Sequence, residues 1–163
     1  GGQVNTISVG VGEYAASRTP GDVIKTFDLG SCVGVVFLVP HLRMVGLLHV
    51  ALPDSSINSR LYKDKPGMFV NSGILALLNE MQHLGYKQND RTIVKLAGGA
   101  TIMDPNNTFN IGKRNLLAIK KTLWKNQLGV IAEDVGGSKS RTVSISVLTG
   151  EVIISSGNGK WEL

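Results

Sequence analysis

Cys32 is the only cysteine in a chain of 163 residues, and it follows Gly30 and Ser31 in the stretch KTFDLGSCVGVVFLVPHLRMVGLLHVALPDS from Lys25 to Ser55. The same stretch holds His41 and His49, two of the three histidines. A thiol beside an imidazole can attack an acyl carbon, because the imidazole takes the thiol proton and later returns it to a leaving group. The glycine-serine turn exposes the sulfur at a strand end and leaves the backbone N–H groups of Gly30, Ser31 and Cys32 near it as oxyanion donors. A cysteine that precedes a strand has no helix dipole to acidify it, so activation falls to His49. The competing reading is equally plain: free cysteine is among the most buried residue types, and a lone histidine is commonly a satisfied polar group. Residue types and spacing leave both readings standing.

Geometry connects the two side chains. An antiparallel hairpin of Val33–Val39 with Met44–Ala51, centred on Pro40-His41, sets Val39 against Leu42 and, continuing outward, Cys32 against His49. Opposed residues project from one face with Cβ atoms about 4.5 to 5.5 Å apart, provided that no bulge intervenes. A nucleophile and base of this kind need a third group to orient the imidazole. Thr26 and Asp28 lie on the strand entering the turn with the same parity, and Asp28 is the stronger partner electrostatically. No metal site is expected, since His41, His49 and His83 have no ligand-like spacing with Cys32.

These residues require strands to hold them. Val4–Val9, Val23–Phe27, Val33–Val39, Met44–Ala51, Arg91–Ala97, Val130–Glu133, Arg141–Val147 and Val152–Ser155 carry strand patterns, the last two joined by a Leu148-Thr149-Gly150 hairpin. Helical spacing runs from Val70 to Leu84, with Gly85 as its cap, and from Gly112 to Gln127, where Leu116, Ile119 and Leu123 share a face. Leu52–Pro66 is polar and without period, which predicts a long mobile loop. Strands that come in runs predict an α+β fold, packed sheets with helices outside, in one domain spanning 1–163. VGVGEYA fits a dinucleotide fingerprint at Gly10, Gly12 and Ala15, but Pro20-Gly21 ends any helix within two turns, so it reads as a tight turn. Gly98-Gly99 and Gly136-Gly137 also read as turns.

A hydrophobic fraction of 42% with 18% charged residues is an ordinary globular balance, and no segment has the apolar length of a membrane span. No signal peptide is expected, and a single cysteine fits a reducing cytoplasm. The net charge of +5 gathers only at Lys113, Arg114, Lys120, Lys121 and Lys125, one stripe on a predicted helix, which is a solvated face or a docking surface for an acidic partner. With 6% aromatic residues and no accompanying motif, nucleic acid is disfavoured.

Taken together, TFDLGSCVGVVF, GLLHVALPDS, LAGGATIM, NIGKRN and AEDVGGSKSRTVSISVLTGEV resemble CheD, the chemoreceptor glutamine deamidase family of bacterial and archaeal chemotaxis, and the similarity covers nearly the whole chain. The resemblance implies a cytoplasmic cysteine hydrolase that converts glutamine side chains on methyl-accepting chemotaxis receptors to glutamate, needs no cofactor, and in some members also removes methyl esters. It places the catalytic cysteine at Cys32, the histidine at His49 and the threonine at Thr26. It also implies a fold similar to the catalytic domain of cytotoxic necrotizing factor, a β-sandwich-like core flanked by helices, and a CheC-type phosphatase as partner. Asp54, Ser55, Phe69, Lys113 and Arg114 are the candidate substrate or partner surface. The alternatives are a non-catalytic adaptor binding CheC or receptors, and a cysteine protease, for which no sequence signature is present.

Overall fold

The structure is a computed structural model, and it describes residues 4–54, 64–101 and 110–163. In chain order the elements are β1 (Asn5–Ser8), β2 (Tyr14–Ser17), β3 (Asp22–Leu29), β4 (Val33–Val39), β5 (Met44–Val50), α1 (Val70–His83), β6 (Ile93–Gly98), α2 (Ile111–Lys125), β7 (Val130–Val135), β8 (Arg141–Ser146), β9 (Val152–Ser156) and β10 (Gly159–Glu162). They build two five-stranded sheets, ordered β1-β3-β8-β9-β10 and β2-β5-β4-β6-β7. Both sheets are mixed, because β1 runs parallel to β3 and β6 parallel to β7 while the other pairs are antiparallel. This is the expected α+β class.

Every residue of β4 and β5 is buried. Their continuous apolar runs are what a strand covered on both faces requires. One face of β4 and β5, carrying Val36, Leu38, Val45 and Leu47, packs on Ile24, Val143, Ile145, Val152 and Ile154 of the opposite sheet. The other face, with Val35, Phe37, Met44 and Leu48, packs on Ile74, Leu77 and Met81 of α1 and on Ile119 and Leu123 of α2. The order of layers is therefore sheet, sheet, helices. α1 ends where its apolar period stops, and the N–H groups of Gly85 and Tyr86 cap the carbonyls of Gln82 and Met81.

Several expectations change. The β4–β5 turn is longer than a Pro40-His41 centre allows: Pro40–Leu42 forms a 3-10 turn closed by Arg43 in the left-handed region at φ 51°. The register consequently pairs Val39 with Met44 and Gly34 with His49, so Cys32 is not directly opposite the histidine. The displacement is by an even number of residues, which keeps Cys32 and His49 on one face. β2 and β10 carry no strong strand pattern in YAAS and GKWE, and they form because β5 and β9 offer them backbone partners. Of the expected mobile loop, residues 55–63 lie outside the described residues. At its ends Leu52 bridges Phe69 and Pro66–Met68 makes a 3-10 turn.

Candidate active site

Thr26 and His49 meet between the two sheets, and Cys32 packs against the same inter-sheet core. β3 aims Ile24 and Thr26 inward, and β5 aims Val45, Leu47 and His49 toward them from the other side. Thr26 is fully buried and His49 is 2% exposed, whereas Cys32 is only half-buried and packs at the rim of the inter-sheet core. Asp28, the stronger partner on charge alone, is excluded by the backbone. The β3–β8 ladder is interrupted between Thr26 and Leu29, Asp28 takes φ 53°, and its side chain faces solvent.

The hydrogen bonds decide the tautomer of the ring. Thr26 Oγ1 lies 2.6 Å from the carbonyl of Val9 and 2.7 Å from His49 Nδ1. A hydroxyl has one proton, and only a donated hydrogen satisfies the carbonyl. Thr26 donates to Val9 and accepts from His49, so Nδ1 carries the ring hydrogen and Nε2 carries the lone pair. Nε2 is buried and has no hydrogen-bond partner among the described residues. An imidazole held by one nitrogen with the other left as a bare base is the arrangement a general base requires. No hydrogen bond joins the thiol to Nε2; diagonal neighbours on adjacent strands stand about 7 to 8 Å apart.

The tight turn read from VGVGEYA grips the histidine strand. The N–H of Gly12 donates to His49 O at 2.8 Å, the N–H of His49 donates to Glu13 O at 3.0 Å, and Glu13 Oε1 accepts from the Gly10 N–H at 2.6 Å. The dinucleotide-like motif thus serves the imidazole through its backbone.

Around Cys32 three successive carbonyls are fixed. Gly30 O accepts from the Ala100 N–H at 2.8 Å, Cys32 O from the Gly99 N–H at 2.9 Å, and Ser31 O from Asn115 Nδ2 at 3.0 Å. The N–H groups of Ser31 and Cys32 donate to no protein acceptor among the described residues. Gly98-Gly99 is more than a turn: Gly98 sits at φ 112° and a Cβ there would collide with Cys32 O. One strand of glycine backbone therefore abuts the cysteine turn directly. Gly136-Gly137 is a turn, with open space around both residues.

Burial pushes the Cys32 thiol above its ordinary value. Burial likewise lowers His49 to about 4, offset in part by the negative charge of Glu13. Burial thus favours the neutral forms of both thiol and imidazole over an imidazolium beside a thiolate.

The other expected site residues scatter. Asp54 is exposed, and Ser55 lies outside the described residues. Phe69 is wholly buried at the start of α1, so it is a core residue and cannot be a partner surface. Lys113 and Arg114 are exposed on α2. Asn115, on the same helix but fully buried, reaches the cysteine turn and was not singled out by sequence; its signal is an amide on the apolar face marked by Ile119 and Leu123. Among the described residues no group of three or more His, Cys, Asp or Glu side chains could hold a metal ion, and no helix is long and apolar enough to cross a membrane.

The family model described as "CheD chemotactic sensory transduction" matches residues 51–156. The chain is 48% identical over 98% of its length, and 100% of the relative's, to the "Probable chemoreceptor glutamine deamidase CheD" of Syntrophotalea carbinolica. The chain belongs to the CheD family. The "Chemoreceptor glutamine deamidase CheD" of Thermotoga maritima is 37% identical over 95% of this chain and 94% of that protein. A CheD relative from Methanosarcina acetivorans, "Probable chemoreceptor glutamine deamidase CheD 1", is 40% identical over 91% and 90%. Residues Thr26, Cys32 and His49 fall before the stretch matched by the CheD family model, but the whole-length likeness to the Syntrophotalea CheD extends to that part of the chain. Among solved structures, Neisseria meningitidis protein NMB0706, of family DUF152, aligns with a TM-score of 0.45 at 10% identity, covering 83% of this chain and 63% of that one. A likeness at that score carries no inference.

Proposed function

We propose that this CheD-family chain is a chemotaxis enzyme that hydrolyses glutamine side-chain amides on methyl-accepting chemoreceptors, giving glutamate and ammonia. The observation that supports it most is the state of His49: Nδ1–H is committed to Thr26, and Nε2 is a buried lone pair on the face shared with Cys32. The names of the relatives supply the substrate.

In the proposed sequence the Cys32 sulfur attacks the carboxamide carbon as its proton passes to Nε2. The N–H groups of Ser31 and Cys32 receive the developing oxyanion. The carbon–nitrogen bond then breaks, Nε2–H protonates the departing amine, and ammonia leaves a thioester on Cys32. A water loses its proton to Nε2 as it attacks the thioester. The second tetrahedral species expels the sulfur, which recovers that proton, and the product is the glutamate carboxyl group. Thr26 keeps its bond from Nδ1–H throughout, so that only Nε2 gains and loses a proton. Each step balances without a metal or organic cofactor.

Receptor helices are large partners, and exposed Asp54, Lys113 and Arg114 are surface positions for docking them. The reading also includes a cytoplasmic location, a single domain over 1–163, and the sandwich of cytotoxic necrotizing factor as the fold's relative.

The test is ammonia release with glutamine-to-glutamate conversion on cognate receptor fragments. Cys32→Ala and His49→Ala should each reduce the rate at least about 100-fold, in the range that nucleophile and general-base losses produce. Undiminished conversion by Cys32→Ala sinks the mechanism. A parent protein that binds receptor or a CheC-type phosphatase yet turns over nothing is the adaptor instead. Methanol release from methylated receptor, followed in the same reaction, separates ester from amide hydrolysis.

A further inference from the structure

The β4–β5 ladder ends at the pair Val33 and Val50. Cys32 lies just beyond that end, so the ladder itself does not fix the nucleophile turn against the strand that carries His49. Asn115 supplies the connection. Its Nδ2 donates one hydrogen to Ser31 O and the other to Ala51 O, each at 3.0 Å, joining the residue before the nucleophile to the strand end after the base. The orientation of the amide is settled by these partners, because reversing it would set Oδ1 against two carbonyl oxygens. The Ala51 N–H is already used by Met68 O, and the Ser31 carbonyl has no backbone donor among the described residues, so the side chain fills a place that no backbone rung occupies.

α2 can deliver this amide because Gly112 lets it approach: a Cβ at that position would lie 2.5 Å from Gly99 O and 2.7 Å from Ala100 O. The helix thereby rests on the same Gly99-Ala100 backbone that holds Cys32 O and Gly30 O. Asn115 itself is fully buried, and its Oδ1 has no partner among the described residues. Buried polar atoms without partners are rare in native structures and call for a reason. Here the reason is that both amide hydrogens are needed at fixed points, and satisfying the oxygen as well is secondary.

We propose that Asn115 is a positioning residue for the deamidation reaction, acting as a side-chain rung that extends the β4–β5 ladder and holds the Cys32 turn at a fixed distance from His49. Its amide hydrogens go to backbone carbonyls and not to the thiol. The inference rests on the catalytic reading of Cys32 and His49, and its test can fail separately from that reading.

The experiment uses the whole chain with Asn115→Leu, close to the native side chain in size and lacking both donors, and Asn115→Ala. Ile119→Val, on the same buried helix face and away from the site, is the control for general loosening of α2. The readouts are kcat and KM for ammonia release on receptor fragments, the rate of Cys32 alkylation by iodoacetamide at neutral pH, and circular dichroism with thermal melting. The Asn115 variants should lose about 10-fold to 100-fold in kcat, the scale of a misplaced reacting group, with KM within about two-fold of the parent. Alkylation should slow toward the rate of His49→Ala, while Ile119→Val keeps the parent's kcat and alkylation rate despite a lower melting temperature. The proposal is overturned if a folded Asn115→Leu retains kcat and alkylation within about two-fold of the parent, or if Ile119→Val shows the same losses. A parent that releases no ammonia removes the deamidase reading, and the alkylation rates alone then decide whether Asn115 couples the thiol to the imidazole.

Discussion

At the scale of the residue, the site is built from neutral partners in a desolvated place. His49 changes charge at about 4 because burial opposes the imidazolium, against an ordinary 6.5. The base works only when unprotonated, so the acid limb of kcat/KM should fall near pH 4 to 5 and not near 6.5. The direction is the same for stability. Between those values the unfolded chain binds a proton at this histidine and the folded chain does not, so stability is full above 6.5 and declines as pH drops toward 4. A pH–rate profile with its acid limb at 6.5 or above would show that His49 ionises as an ordinary histidine and that the neutral pair is wrong. Cys32, held above its usual range, adds no limb at neutral pH. Thr26 matters for its proton count: having given its one hydrogen to Val9, it can only receive from the ring.

At the scale of the element, what the sequence makes legible is what depends on period, and what it hides depends on turns. Side chains alternate faces along β4 and along β5, but Cys32 and His49 share one only because the register differs from the simple hairpin by an even number of residues. That register is not legible in residue order, because a 3-10 turn ending in a left-handed Arg43 lengthens the connection, and arginine gives no sign of that conformation. The irregularity between Thr26 and Leu29 is equally silent, and it removes Asp28 from the face that equal parity assigns to it. Phe69 misleads for another reason: it stands just before α1 in a bridge with Leu52 and is wholly buried, which its residue type does not announce. The glycines divide by what surrounds them. Gly98→Ala meets both an unfavourable φ of 112° and the Cys32 carbonyl, whereas Gly137→Ala meets only an unfavourable φ of 69° in open space. Gly137→Ala should cost about 1 kcal/mol. Gly98→Ala should cost at least about 2 kcal/mol more and displace the nucleophile turn, read as urea stability together with Cys32 alkylation. Equal losses at the two positions would mean that Gly98 is an ordinary turn.

At the scale of the whole molecule, the two sheets are fastened together by a half-buried carboxylate. Asp134 on β7 accepts from Arg141 Nε of β8 at 2.8 Å and from Trp161 Nε1 of β10 at 2.6 Å, so one side chain of the histidine-bearing sheet is bound by two strands of the other. Burial pushes its carboxyl upward, but the bonds from Trp161 and Arg141 and the charges of Arg141 and Lys139 outweigh that and hold it below its ordinary value. Arg141 is 3% exposed and also reaches Gly98 O, beside the nucleophile turn. Arg141→Met leaves a half-buried carboxylate without its guanidinium, and equilibrium unfolding should register a loss of about 3 kcal/mol. A loss below about 1 kcal/mol would place the pair among surface contacts.

The bond between Thr26 and His49 is itself a junction between the sheets, since one residue belongs to β3 and the other to β5. Slippage of one sheet over the other would remove the acceptor that holds the ring hydrogen on Nδ1 and free that hydrogen to migrate to Nε2, which in the proposed mechanism silences the base. The imidazole is thus a gauge of how the halves of the sandwich sit together: its nitrogen resonances would report docking of the sheets, and the enzyme would lose its chemistry well before it lost its fold.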